Sequence, residues 1–146
     1  MKVGIIGASG YTGQELVSLL IRHPKIKLAT VTSRGNAGNS LSAVIPKLGK
    51  MGHEISFISP SIEELISSEI ELFFLALPHG TAAEYAIPIL ESGKKIIDLS
   101  ADFRLSNPSV YKEFYGSEHQ SPEWLKQAQY GLPELHELSW DKSPII

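Results

Sequence analysis

Gly7-Ala8-Ser9-Gly10-Tyr11-Thr12-Gly13 lies directly between the compact apolar run Lys2–Ile6 and a stretch, 14–23, in which Leu16, Leu19 and Leu20 recur at helical spacing before Pro24. Small residues let a backbone turn tightly after a strand and approach a bound pyrophosphate closely. The helix that follows then offers free N–H groups and the positive end of its dipole. The glycines are spaced G-x-x-G-x-x-G rather than the commoner G-x-G-x-x-G, so the strand–turn–helix context gives the motif its weight. The same residues could also form a tight β–α turn that holds nothing.

Outward from this turn the chain alternates short apolar runs with helical patterns. Residues 27–32 read as a second strand, rich in β-branched side chains. Residues 33–52 hold four glycines and little periodicity, which predicts loop with a short helix near 41–45. A strand is expected over 54–58 and a short helix over 61–67, with Ser61 as its N-cap. The continuous apolar run 72–77 suits a strand covered on both faces. A helix over 81–92 is expected to open at the Thr81 cap and close at Gly93, followed by another buried strand over 95–99. The alternation predicts βαβ units, and hence an α/β fold of the Rossmann type: a doubly wound, mostly parallel sheet with helices on both faces. Beyond Ser100 the texture changes. Asn107-Pro108 and Ser121-Pro122 read as N-cap and N1 proline pairs opening short helices, and Pro144-Ile145-Ile146 reads as a strand cut short. The expectation is a piece of a longer chain.

The 146 residues suffice for one domain, and 42% hydrophobic with 20% charged residues is the balance of a soluble globular protein. A net charge of -3 with no basic face argues against a nucleic-acid partner. No apolar run is long enough for a membrane span and no cationic leader precedes Val3, so a cytoplasmic protein with no membrane partner is expected. The absence of cysteine excludes disulfides, thiolate–metal sites and a cysteine nucleophile within these residues. The five histidines show neither H-x-x-x-H nor H-E-x-x-H spacing, and no G-x-S-x-G elbow occurs, so no metal site is expected.

Three further stretches carry chemistry. At the end of the second strand, Thr32-Ser33-Arg34 stands where an NAD site places an acid, about 20 residues beyond the glycines, to bind the ribose 2′-hydroxyl. A guanidinium beside a hydroxyl suits a 2′-phosphate instead, which favours NADP(H), although a lone arginine on a loop can also be merely solvated. Leu77-Pro78-His79-Gly80 comes at the end of the fourth expected strand, 72–77, and should face the nicotinamide end. His79 is either a general acid or base there or a plain helix-opening, solvent-facing residue. In Asp98-Leu99-Ser100-Ala101-Asp102-Phe103-Arg104, Ser100 would face the same crevice. Asp102 and Arg104 either meet an anionic substrate or form an architectural ion pair.

Together with Tyr130-Gly131-Leu132-Pro133-Glu134, these motifs resemble the N-acetyl-γ-glutamyl-phosphate reductase family of arginine biosynthesis. The resemblance runs from Val3 to the last residue, and DLSADFR and YGLPE are its more diagnostic pieces. It implies an NADPH-dependent reduction of N-acetyl-γ-glutamyl phosphate to the semialdehyde and inorganic phosphate, in a homo-oligomer. It also implies that residues 1–146 form an NAD(P)-binding domain, with a second domain carrying catalysis and subunit contacts outside them. By resemblance, Ser9, Gly10, Tyr11, Thr12 and Gly13 hold the pyrophosphate at the turn begun by Gly7. Ser33 and Arg34 then hold the 2′-phosphate, and Leu77, Pro78 and Ser100 border the ribose and nicotinamide. The family's nucleophile is a cysteine that forms a thioacyl intermediate, and its acid/base is a histidine of the second domain. Neither has a counterpart here, so no catalytic residue is assigned and the piece alone is expected to be inactive and prone to self-association. Two other readings stand beside this one: a non-catalytic NADP(H) sensor, which the missing cysteine fits, and a relative of aspartate-semialdehyde dehydrogenase, which GASGYTG alone would fit.

Overall fold

The computed structural model describes residues 1–135 and 142–146. Four strands, β1 (Lys2–Ile6), β2 (Lys27–Val31), β3 (Leu72–Leu75) and β4 (Lys95–Asp98), form one sheet in the order β2-β1-β3-β4, and every pairing is parallel. Side chains alternate across a strand, so Val3 and Ile5 of β1 enter one core and Ile6 the other. At Gly4 a Cβ would stand 2.7 Å from the Phe73 ring, which lies across β1 in its place.

Helices cover both faces, as the doubly wound pattern requires. On one face lie α1 (Tyr11–Leu20), α2 (Leu41–Val44) and a 3₁₀ segment, Pro46–Gly52. They contribute Val17, Leu20, Leu41 and Leu48 to a core that Phe57 completes. On the other lie α3 (Ile62–Ser67), α4 (Ala82–Glu91), α5 (Pro108–Tyr115) and α6 (Pro122–Gln127), around Phe73, Leu75 and Ile89. Among the described residues no helix is long and apolar enough to cross a membrane.

Several boundaries differ from the sequence reading. Helix α1 begins at Tyr11 rather than at residue 14, because Gly10 already serves as its N-cap in an extended conformation. Residues 54–58 do not make a strand. Ile58 pairs only with Thr32 and Ser56 only with Ser40, since the segment crosses the end of β2 and meets Pro60 before a ladder can form. The glycine-rich stretch instead contains the 3₁₀ turns after Pro46. β3 stops two residues before the end of the apolar run, where the chain turns into Pro78. Other readings match: Ser61 forms a capping box with Glu64, and Asn107 accepts from the Ser109 N–H at 2.9 Å beside Pro108. Pro144–Ile146 does align beside β4. Ile96 N–H donates to Pro144 O, Ile146 N–H to Ile96 O and Asp98 N–H to Ile146 O, at 2.7–3.1 Å.

Candidate functional site

Strand order reverses between β1 and β3: the chain goes from β1 outward to β2, then returns to the other side of β1 for β3. In such sheets the crevice outside the carboxyl ends at that reversal is where ligands sit. Here the carboxyl end of β1 runs into Gly7 and that of β3 into Leu77 and Pro78. Together they floor a continuous groove with two halves. One half, about 350 Å³, is lined by Ser9, Gly10, Tyr11, Thr12 and Leu99; the other, about 270 Å³, by Thr32, Ser33, Arg34, Thr81 and Tyr85.

The three glycines of the turn have three different reasons. Gly7 has φ +85°, and a Cβ there would lie 2.4 Å from the Ala76 carbonyl oxygen, so neither backbone nor neighbour admits a side chain. Gly13 is buried in the first turn of α1, where a Cβ would press on Gly7 O at 2.5 Å and on Ala8 Cα at 2.6 Å. Its bare backbone lets the helix sit down on the strand end. Gly10 is different: the nearest atom to a Cβ is Gly7 O at 3.7 Å, and the residue faces the groove. No side chain caps the N-terminus of α1, so its opening N–H groups and positive dipole end are offered to the groove.

A hydrogen-bonded strip joins the halves. Ser9 Oγ and Ser33 Oγ are 2.8 Å apart, Asn36 Nδ2 donates to Ser33 Oγ at 3.2 Å, and Gln14 Nε2 donates to Ser9 O at 2.8 Å. Ser33 is held by its own N–H donating to Ile58 O. Arg34 is exposed, and its Nη2 donates to the Tyr85 hydroxyl at 2.9 Å, a partner from α4 that the sequence reading missed. Nothing in a sequence spacing of 51 residues signals that contact.

The structure thus gathers Gly7, Ser9, Gly10, Tyr11, Thr12, Ser33, Arg34, Leu77 and Pro78 on one groove, with Gly13 packed beneath it. Ser100 stands apart, in a neighbouring cavity of about 300 Å³ shared with Asp98, Phe103, Arg104, Gln129 and Tyr130; Leu99 borders both. The Ser100 hydroxyl is engaged within its own turn, donating to Asp98 Oδ2 at 2.8 Å and accepting the Asp102 N–H at 3.0 Å. Burial raises the Asp98 carboxyl above its ordinary range, against the lowering by the two Ser100 bonds.

His79 and Asp102 belong to the scaffold of this region. Asp102 is buried, with 1% exposure, and accepts the Gly80 N–H at 2.7 Å and the Ala83 N–H at 3.1 Å, which caps α4 from outside. His79 Nδ1 lies 2.7 Å from Asp102 Oδ1, its ring stacks on Tyr115 at 4.4 Å, and it lines neither half of the groove. The expected Thr81 cap makes no side-chain bond, because Asp102 fills that role. The architectural ion pair considered for Asp102 and Arg104 does not form: Asp102 faces His79, and Arg104 is exposed on the neighbouring cavity. Among the described residues no group of three or more metal-ligating side chains comes together.

The chain resembles known proteins along nearly its whole length. The family described as semialdehyde dehydrogenase, NAD binding domain, matches residues 2–142. An N-acetyl-gamma-glutamyl-phosphate reductase of Akkermansia muciniphila is 45% identical over 92% of the chain and 39% of its own length. A [LysW]-L-2-aminoadipate/[LysW]-L-glutamate phosphate reductase of Saccharolobus solfataricus is 46% identical over 93% of the chain and 38% of its own length. The chain therefore spans about two fifths of the length of these relatives. Its fold is similar to that of an aspartate semialdehyde dehydrogenase from Candida albicans solved with NADP, with a TM-score of 0.59 and 19% identity over 81% of this chain and 40% of that one. With a match from residue 2 to residue 142 on a groove of this form, the chain belongs to the semialdehyde dehydrogenase NAD-binding domain family.

Proposed function

We propose that this chain is the NADP(H)-binding domain of an acyl-phosphate reductase that turns N-acetyl-γ-glutamyl phosphate into the semialdehyde and inorganic phosphate in arginine biosynthesis. The observation that carries the reading is the groove over the strand reversal, with an uncapped helix end in one half and a guanidinium in the other. A dinucleotide fits this groove: the space above Gly10 is open where phosphates would approach, and the flanking walls are apolar at Leu77 and Pro78. When bound, NADPH supplies the hydride.

The residues of the chain divide the remaining work. The N–H groups opening α1 bind the pyrophosphate, which Gly10 allows to come close. Ser33 and Arg34 bind the 2′-phosphate and so choose NADP over NAD. Leu77 and Pro78 wall the ribose and nicotinamide, and Ser100 shapes the adjoining cavity. Arg104, uncommitted to Asp102, meets the phosphate of the substrate there. The nucleophile implied by the family resemblance is a cysteine, and these 146 residues include none. The chain by itself therefore binds cofactor without turnover; the small-molecule substrate, the homo-oligomer and a cytoplasmic setting belong to the complete enzyme.

Titrating the isotope-labelled chain with NADP⁺ and following backbone amides by NMR tests this. Shifts should concentrate at 7–13, 33–34 and 77–78; shifts confined to other surfaces would refute the site. Given NADPH and the acyl phosphate, the chain should oxidise no NADPH, and steady oxidation would contradict the assignment of the nucleophile. A second reading, reduction of a [LysW]-linked L-2-aminoadipate or L-glutamate phosphate, is favoured by relatives named for that activity at 46% and 48% identity. Competing N-acetyl-γ-glutamyl phosphate against the [LysW]-linked phosphate in the complete enzyme separates the two.

A further inference from the structure

Arg34 carries the cofactor choice in the reading above, yet it is an exposed side chain on a loop, and such a side chain samples many rotamers. Among the described residues no carboxylate lies within ion-pairing distance of it. What holds it is Tyr85. The Tyr85 ring is partly buried and packs against the core formed by α4, Phe73 and Leu75, so its hydroxyl is presented from a fixed wall of the groove. Arg34 Nη2 reaches across the groove to donate to that hydroxyl at 2.9 Å. The bond uses one of the five guanidinium N–H groups, and Arg34 lines the same half of the groove as Ser33.

We infer that Tyr85 is the positioning residue for cofactor specificity: by accepting from Arg34 across the groove it fixes the guanidinium where a ribose-linked phosphate would sit. The inference rests on the NADP(H) reading. Ordering Arg34 before the ligand arrives removes part of the entropy that binding would otherwise cost, and it does so only for a ligand that uses Arg34. Tyr85 thus acts on the discrimination between NADP⁺ and NAD⁺ rather than on dinucleotide binding as a whole.

The test is calorimetric titration of four forms of the chain with NADP⁺ and with NAD⁺: parent, Tyr85→Phe, Arg34→Ala and the double variant. Phenylalanine keeps the buried ring, and an unchanged melting temperature confirms that packing is intact. Tyr85→Phe should weaken NADP⁺ about fivefold, the worth of one modest hydrogen bond, and leave NAD⁺ unchanged. In the Arg34→Ala background the same substitution should change NADP⁺ binding less than about twofold, because its only route of action is gone. The inference is overturned if Tyr85→Phe leaves NADP⁺ binding alone, weakens both cofactors equally, or costs as much in the Arg34→Ala background as in the parent. A parent chain that binds both cofactors equally overturns the NADP(H) reading itself, and this inference with it.

Discussion

The glycines of one motif answer to different forces, and single methyl groups separate them. Gly7→Ala places a side chain in the left-handed region and against the Ala76 carbonyl, which should cost at least about 2 kcal/mol. Gly13→Ala drives a methyl into Gly7 and Ala8 and should cost as much despite alanine's better helix propensity, by roughly 2 kcal/mol net. Gly10→Ala meets nothing closer than 3.7 Å. It should cost at most about 1 kcal/mol, as an N-cap change, while weakening NADP⁺ binding about tenfold by filling the phosphate approach. Urea unfolding beside cofactor titration checks the pattern; equal destabilisation by Gly10→Ala and Gly13→Ala would contradict it. The motif is legible in the sequence but these separate roles are not, because they depend on what β3 and α1 bring to within a few ångströms. His119 supplies a pH-dependent test. It is 6% exposed, sits edge-on to Phe103 and Tyr111, and accepts the Ser121 N–H at 3.0 Å through Nδ1. Burial lowers its pKa below the usual histidine value despite that bond. The folded state thus disfavours the protonated ring: its contribution to stability is present above the unfolded pKa near 6.5 and is lost as pH falls toward the folded value. Between pH 7 and pH 5 the parent chain should lose more stability than His119→Gln, whereas parallel curves would show the imidazole plays no part.

At the level of elements, local signals read well and long-range ones did not. Ser61 with Glu64 and Asn107 with Pro108 open their helices as the residue types dictate, because a cap is settled within four residues. α4 has its cap from Asp102, twenty-one residues past Thr81, through the loop after β4. The acid was visible in DLSADFR, but its partners were not, since the pairing exists only once β3 and β4 lie side by side. Asp102→Asn should destabilise the chain by about 2 kcal/mol, the scale of a buried, charge-assisted cap, and should loosen the 77–80 loop that walls the groove. His79→Ala should cost less, because its ring is partly exposed where its partner is not. Urea midpoints and amide exchange at residues 80–83 measure both effects; a neutral Asp102→Asn would refute the capping role. The mistaken strand over 54–58 has a related cause. Its alternation is real, with Phe57 fully buried, but one paired residue on each side is a bridge and not a ladder.

Across the whole molecule, the doubly wound parallel sheet followed from the alternation of apolar runs and helical patterns. The reversal of strand order between β1 and β3 then placed the glycine turn and Leu77-Pro78 on one crevice. The terminal run Pro144–Ile146, read as a strand, does lie parallel to β4, with Ile145 fully buried. The stretches DLSADFR and YGLPE converge on a single cavity beside the groove, where Gly131 sits directly against Ile146. His136 lies outside the described residues. Arg104 is exposed on that cavity, beside the groove that Gly7, Leu77 and Pro78 floor. In the function proposed above, the groove selects NADP(H) through Arg34, just beyond β2. Calorimetric titration of the chain and of Arg34→Ala with NADP⁺ and NAD⁺ tests it most directly. NADP⁺ should bind the parent chain more tightly than NAD⁺, and the substitution should abolish that preference; equal affinities, or a preference that survives Arg34→Ala, would contradict it.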